Sequence, residues 1–163
     1  MGKRRKSSRT LPLDCVVLDL ETTGLQPREG ARVIEIGAVR LVHGRIVEEF
    51  ESLLNPGFDL PEIAAQITGI TDAELRSAPG AETVIPRLLA FIGKGPVVAH
   101  NAAFEQEFIA SECQCVGLLP PLFEYHCSLR LARRTVETSP NCKLETLAQT
   151  LGLPAPDGFH RAL

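Results

Sequence analysis

The chain has 163 residues, of which 44% are hydrophobic and 23% are charged, a length and composition typical of one globular domain. No apolar stretch approaches the roughly 20 residues that span a bilayer, and no hydrophobic signal segment follows the charged start. These features argue against membrane insertion and secretion and favour a cytoplasmic protein. The charges are uneven, because five of the 17 basic residues precede position 10 and leave 12 basic against 20 acidic residues, a net charge of −8, for the rest.

The basic start of the chain, residues 1–12, is predicted to be a disordered tail that precedes a folded domain at 13–163. A solvated terminus explains such a run of charge. A phosphate-binding arm is the alternative, since basic side chains add salt-sensitive affinity for nucleic acid. An acidic domain that approaches nucleic acid would need metal ions to offset its own field.

The first predicted strand covers residues 13–20, a nearly continuous apolar run broken by two aspartates, as expected for a central strand buried on both faces. Two segments rich in Val and Ile, 32–42 and 45–54, follow it and are separated by His43 and Gly44. This pattern predicts a hairpin with a two-residue turn.

The remainder of the chain alternates helices with strands. The helices are marked by a proline in a first turn, by Thr71 as a cap, by helical spacing of apolar residues and by closing glycines. The predicted helices are 61–67, one that begins at 71–74, 81–92, 102–116, 128–135 and 144–151, and the predicted strands are 96–99 and 122–127. This order predicts an α/β fold with a mixed five-stranded sheet flanked by helices. The last residues, 158–163, resemble the first turn of a truncated C-terminal helix.

Asp19 and Glu21 lie at the end of the first apolar strand and are the most informative polar residues. Side chains two apart on a strand share a face, so the two carboxylates would lie side by side, where burial and repulsion are costly. No Lys or Arg occurs between Arg9 and Arg28, and hard oxygen ligands suit Mg²⁺ or Mn²⁺. The alternative is that Glu21 and Thr22 have left the strand and only solvate the loop.

A second polar group follows the predicted strand at 96–99, where His100 and Asn101 lead into Phe104 and Glu105. Ligands bind at the carboxyl ends of strands in open sheets. If this strand lies beside the first, Glu105 arrives near the two carboxylates. A single histidine is more often a hydrogen-bonded structural residue than a ligand, and both interpretations stay open for His100.

Four segments of the chain occur in a recognisable order: Asp19-Leu20-Glu21-Thr22-Thr23-Gly24, His100-Asn101-Ala102-Ala103-Phe104-Glu105, Lys143-Leu144-Glu145-Thr146-Leu147-Ala148 and His160-Arg161-Ala162-Leu163. They resemble the motifs of the DEDD-type 3′-to-5′ exonucleases, above all the histidine-containing (DEDDh, DnaQ-like) branch that includes the proofreading epsilon subunit of bacterial DNA polymerase III. The resemblance implies a ribonuclease H-like fold and two divalent ions, Mg²⁺ or Mn²⁺. It also implies metal-dependent release of nucleoside monophosphates from DNA 3′ ends, in proofreading or repair.

The same resemblance implies a role for each matching residue. Asp19 would bridge the metal ions, and Glu21 would hold one of them near the terminal 3′-hydroxyl. Glu105 would be a further metal ligand, and His160 would be the general base that takes a proton from the attacking water. Gly24 would permit a sharp turn after the first strand. The implied substrate-binding residues are Thr22, Thr23, Gly24, His100, Asn101 and Phe104.

Two departures from the family pattern bear on activity. Glu105 stands where the family has Asp, and its extra methylene either brings the carboxylate onto the metal or distorts the site. The family's last acidic ligand would fall two positions beyond Leu163, so a longer enzyme is expected.

The expected partners are DNA with a single-stranded or frayed 3′ end and a DNA polymerase, without a membrane. Two alternatives stay open. One is a catalytically impaired nucleic-acid-binding module on the same fold, and the other is an exoribonuclease, since the 2′-hydroxyl contact that separates RNA from DNA has no signature here.

Overall fold

The computed structural model describes residues 10–154 and Ala162, so residues 1–9 of the predicted tail and most of the predicted final helical turn lie outside them. Strands and α-helices follow in chain order as β1 (Cys15–Thr22), β2 (Val33–Val42), β3 (Arg45–Leu53), α1 (Glu62–Thr68), α2 (Asp72–Ser77), α3 (Ala81–Ile92), β4 (Val97–Ala99), α4 (Ala102–Cys115), β5 (Tyr125–Cys127), α5 (Ser128–Thr135) and α6 (Leu144–Thr150). A 3₁₀ turn at Pro27–Glu29 has no counterpart among the predicted elements. No helix in the described part is long and apolar enough to cross a membrane.

The five strands form one mixed sheet in the order β3-β2-β1-β4-β5. β1 pairs antiparallel with β2 and parallel with β4, while β3 and β5 form the two edges. A parallel pair needs a long crossover connection, and α1 to α3 supply it between β3 and β4. The predicted mixed sheet is therefore confirmed, and β4 lies beside β1 as the predicted convergence of acids requires.

Two local signals in the sequence place turns and helix ends correctly. The β2–β3 hairpin turns at His43 and Gly44, whose φ angles are 51° and 73°. Two successive left-handed residues are typical of a type I′ turn, whose twist matches that of the flanking strands. The Thr71 side chain accepts the Glu74 N–H, and the Glu74 carboxylate accepts the Thr71 N–H, so the predicted cap of α2 is a full capping box.

Two predicted strand boundaries are wrong, and each has a physical reason. β1 lies two residues further along the chain than predicted, because its pairing with β2 continues to Thr22, opposite Val33. The alternative that Glu21 and Thr22 have left the strand is therefore wrong. β5 begins only at Tyr125, since Leu122 is fully exposed in the loop before it. An apolar side chain predicts burial only where the backbone continues the sheet.

An ion pair between buried Glu112 and half-buried Arg32 joins the start of β2 to α4. Glu112 is 1% exposed and accepts bonds from Arg32 Nε at 2.9 Å and Arg32 Nη2 at 2.8 Å, and from the backbone N–H of Val33 at 3.0 Å. The Arg32 N–H donates to Thr23 Oγ1, and the Thr23 N–H donates to the Arg32 carbonyl, both at 2.9 Å. The ion pair therefore fixes the loop that follows β1.

Replacing Glu112 with Ala is expected to lower the free energy of unfolding by about 3 to 5 kcal/mol, because Arg32 and the Val33 N–H lose their acceptor. Chemical denaturation followed by circular dichroism measures this loss. Glu48→Ala is the matched control, since Glu48 pairs with Arg40 at 2.8 Å on the surface, and it should cost less than about 1 kcal/mol. Equal losses in the two variants would show that burial of the pair is unimportant.

Candidate active site

Three carboxylates share one face at the carboxyl end of β1. Asp19 and Glu21 alternate onto the same face, and the antiparallel register places Glu35 of β2 directly opposite Glu21. Glu35 is 1% exposed. It is absent from the predicted site residues, although it interrupts the apolar run of β2 as Asp19 interrupts that of β1. This interruption of an apolar strand is the sequence signal that could have identified Glu35 as a site residue.

Glu105 lies in the first turn of α4, soon after β4, and is 3% exposed. Among the described residues, its Oε2 atom has no hydrogen-bond partner. Burial raises the pKa of its carboxyl from 4.5 to about 8; a hydrogen bond from its own backbone N–H opposes this rise, and the charge of Asp19 adds to it. Buried polar atoms normally have their bonds filled, so an unfilled, strongly perturbed acid is typical of a functional site.

Asp19 is the second perturbed acid of the site. Burial raises its pKa from 3.8 to about 6, a hydrogen bond from the Leu20 N–H opposes the rise, and the charge of Glu35 adds to it. The charge of Asp19 in turn acts on Glu105. Acids from β1, β2 and α4 therefore share one poorly solvated region.

The donor atoms of this region fit a divalent metal ion. Carboxylate oxygens are the hard ligands that Mg²⁺ and Mn²⁺ prefer, and a cation would satisfy the unpartnered oxygen of Glu105. Within residues 10–154 and Ala162, no three acidic, histidine or cysteine side chains form a ready metal-binding group. Asp19 and Glu105 therefore supply part of a ligand set.

The predicted substrate contacts at Thr22, Thr23 and Gly24 lie where β1 ends. The Thr22 hydroxyl donates to the Gly24 carbonyl at 2.6 Å, and buried Thr23 accepts the Arg32 N–H. Gly24 turns without a positive φ, and a Cβ at this position would lie 3.4 Å from that of Ala31. The hydroxyls thus brace the loop, and contact between its backbone and a nucleotide stays a prediction.

His100 follows β4, and both of its ring nitrogens are bonded within the fold. Nδ1 lies 3.0 Å from Ser128 Oγ, and Nε2 lies 2.8 Å from the carbonyl oxygen of Cys142. A carbonyl only accepts, so Nε2 carries a proton. These bonds tie β4 to α5 and to the segment before α6, which favours the structural interpretation of His100 over a ligand.

The other predicted residues of this motif surround the start of α4. Asn101 is the N-cap residue, in a left-handed conformation with φ of 83°, and it is exposed. Phe104 packs on the core, with its ring centroid 4.7 Å from that of Phe108. Their contacts with substrate stay predictions. His160 lies outside the described residues, so its role as a general base also stays a prediction.

A cavity of about 840 Å³ opens on another side of the start of α4. Its walls come from α4, β5 and α5 and include Gln106 and three arginines, Arg130, Arg133 and Arg134. The perturbed carboxylates do not line it. The cavity is therefore distinct from the place where the acids meet, although its arginines suit an anionic ligand.

Residues 16–163 match the exonuclease family, so the match covers nearly the whole chain. The chain therefore belongs to the exonuclease family. The prediction of a DEDD-type nuclease domain is confirmed, and a 3′-to-5′ exonuclease function fits this family. DEDDh exonucleases generally use divalent metal ions, as the donor atoms of the site require.

Three relatives show how the chain compares with longer proteins. The DNA polymerase III epsilon subunit of Aquifex aeolicus is 36% identical over 148 residues, which cover 91% of this chain and 72% of that protein. A PolC-type DNA polymerase III of Thermotoga maritima is 37% identical, covering 91% of this chain and 11% of the polymerase. A bifunctional exonuclease/endonuclease protein of Mycobacterium tuberculosis is 35% identical, covering 91% of this chain and 24% of the relative. The chain thus spans a quarter or less of two of these relatives.

Solved structures of nucleases share the fold. Exonuclease X, solved with 5′ overhanging duplex DNA, is 30% identical with a TM-score of 0.71, over 91% of this chain and 82% of that one. The nuclease domain of 3′hExo, a DEDDh family member bound to rAMP, has a TM-score of 0.80 at 20% identity, over 93% of this chain and 84% of that one. The predicted ribonuclease H-like fold is confirmed.

Without metal, the free energy of unfolding is expected to fall by on the order of 3 kcal/mol between about pH 5 and about pH 8. The folded-state pKa values of Asp19 and Glu105, about 6 and about 8, lie above their ordinary values of 3.8 and 4.5. The folded protein therefore binds more protons than the unfolded chain in this window, and stability is lost as those protons leave. Denaturant titrations at a series of pH values measure the fall.

Glu105→Gln should remove most of this pH dependence, while Glu107→Gln, at an exposed acid on the same helix, should leave it unchanged. Mn²⁺ should restore stability more at pH 8 than at pH 5, because the cation and the proton compete for the same oxygens. A metal-free protein whose stability rises over this window would contradict the burial of the two acids.

Proposed function

We propose that the chain is a metal-dependent 3′-to-5′ exonuclease domain that releases nucleoside monophosphates from single-stranded or frayed DNA 3′ ends. One observation carries this proposal: buried Glu105 interacts electrostatically with half-buried Asp19, and among the described residues Glu105 Oε2 has no partner. Hydrolysis assisted by two metal ions needs carboxylates that are held together in this way. Membership of the exonuclease family supplies the class of reaction.

Asp19, Glu21 and Glu105 would hold the cations, and we infer two Mg²⁺ or Mn²⁺ ions. Bound cations of this kind activate a water and stabilise the leaving oxygen of a phosphodiester. Because burial raises the pKa of Glu105 to about 8, its carboxyl must lose a proton before it can hold a cation at neutral pH. His160 would take the proton of the attacking water, a role that suits the near-neutral pKa of imidazole.

The chain would position the terminal nucleotide with two neighbouring segments. Thr22 ends the strand that carries Asp19, Thr23 and Gly24 begin the loop after it, and the Arg32 backbone braces Thr23. The backbone groups of this segment would contact the nucleotide, while Asn101 and Phe104, at the start of α4, would contact the base or sugar. His100 would hold the residues before α4 against α5 and the segment before α6 through its bonds to Ser128 and Cys142.

DNA is the inferred substrate because several relatives at 30% identity or more are named as DNA polymerase III proteins, and one structure at 30% identity was solved with DNA. Association with a DNA polymerase and a cytoplasmic location are inferred from the same relatives. RNA is the alternative substrate, and sensitivity to the 2′-hydroxyl would distinguish the two.

A catalytically impaired nucleic-acid-binding module is the second candidate, because Glu105 replaces the Asp of the family motif. In that case 3′-ended strands would bind with a steep dependence on salt and would not be shortened. Asp19→Ala would then leave the affinity for the strand nearly unchanged.

Incubation of 5′-labelled single-stranded DNA with Mg²⁺ or Mn²⁺ should shorten it stepwise from the 3′ end. Asp19→Asn and Glu105→Gln should each lower kcat/KM by on the order of 1,000-fold, because each removes charge that holds the cations. Glu105→Asp keeps the carboxylate and should stay within about tenfold of the parent. Glu107→Gln is the matched control on α4 and should have no effect.

The full-length protein decides between the two candidates. Failure to shorten DNA or RNA with either ion would contradict the exonuclease proposal. Retained strand binding in Asp19→Ala under the same conditions would then favour the binding module.

A further inference from the structure

A hydrogen bond joins β2 to the far end of the chain. The backbone N–H of Ala162 donates to Glu35 Oε2 at 2.9 Å, across 127 residues of sequence. Both residues are buried, with Glu35 1% exposed and Ala162 6% exposed. The bond therefore lies in a solvent-poor region, where a bond to a charged acceptor is strong.

The position of Glu35 makes it costly as a packing residue. It lies opposite Glu21 in the β1–β2 register, and its charge raises the pKa of Asp19. A third carboxylate in this region adds repulsion that an apolar side chain of the same size would avoid. The bond to Ala162 is a contribution of the carboxylate that such a side chain could not make.

We propose that Glu35 is a positioning residue that holds the backbone of Ala162 beside the carboxylate site. This inference rests on the proposed function, because its purpose is to place His160, the proposed general base. Two residues of extended chain span about 7 Å at most, so fixing Ala162 limits how far the residue two positions earlier can lie from the site. Displacement of a catalytic group by about 1 Å can cost about 100-fold in rate.

Two substitutions of similar size isolate the hydrogen bond. Glu35→Gln and Glu35→Met both remove the charge and keep the volume, but only Gln retains a carbonyl oxygen that can accept the Ala162 N–H. Any difference between them therefore reports the acceptor. Hydrogen exchange at the Ala162 amide measures the contact directly, and steady-state kinetics on single-stranded DNA with Mn²⁺ measure its consequence.

In the full-length protein, Glu35→Met should lower the protection of the Ala162 amide at least tenfold and lower kcat by about 10- to 100-fold. The KM for DNA and the Kd for Mn²⁺ should agree within about twofold between the Met and Gln variants, because both lack the charge of Glu35 and both keep the cation-holding acids. Glu35→Gln should restore most of the protection and most of kcat. Glu21→Gln, at a proposed metal ligand, should instead weaken Mn²⁺ binding.

Three results would overturn the proposal. Unchanged protection and unchanged kcat in Glu35→Met would remove the positioning role. Equal losses in the Gln and Met variants, accompanied by weaker Mn²⁺ binding, would make Glu35 a metal ligand. The exchange measurement also works if the parent protein proves inactive. Equal exchange rates of the Ala162 amide in the Gln and Met variants would then overturn the contact. Loss of protection in the Met variant alone would support the contact independently of the exonuclease activity.

Discussion

The removal of neighbouring carboxylates from water is the constraint on which the rest of this site depends. Two unit charges 4 Å apart interact by about 1 kcal/mol in water and by several times that amount where the dielectric constant is low. Burial is the largest cause of the raised pKa values of Asp19 and Glu105, about 6 and about 8, and repulsion from a neighbouring carboxylate adds to it. Protons relieve that cost at low pH, and a divalent cation can relieve it at neutral pH. The same arrangement that strains the metal-free domain therefore prepares it for metal.

The sheet topology creates this arrangement from distant parts of the chain. Parallel pairing of β1 with β4 brings their carboxyl ends to one edge, so Asp19 and the first turn of α4 meet there. Antiparallel pairing of β1 with β2 brings the beginning of β2, with Glu35, to the same edge. The Arg32–Glu112 ion pair also ties β2 to α4. The elements that carry the acids are therefore held together by a contact outside the acidic site.

Local features of the fold and the class of sheet could be predicted from the sequence, whereas features that depend on the extent and register of strand pairing could not. Helix α3 has the predicted bounds because apolar spacing and Gly93 define it locally, and the His43-Gly44 turn follows from its residue types. The end of β1 depends on how far β2 accompanies it, which no local pattern reports. Glu21 and Glu105 were predicted from their motifs, but Glu35 becomes recognisable only when the register places it opposite Glu21. The Glu112 pair was likewise hidden by its separation from Arg32.

Proton release on metal binding tests the proposed link between burial and metal most directly. Calorimetric titration of Mn²⁺ at pH 7, in two buffers with different ionisation enthalpies, counts the protons displaced. Because the pKa of Glu105 is about 8, most of its carboxyl is protonated at this pH, and binding should release close to one proton per protein. The Glu105→Gln variant should release almost none. Mn²⁺ binding without proton release in the parent protein, or no binding at all, would show that these acids are not the metal site.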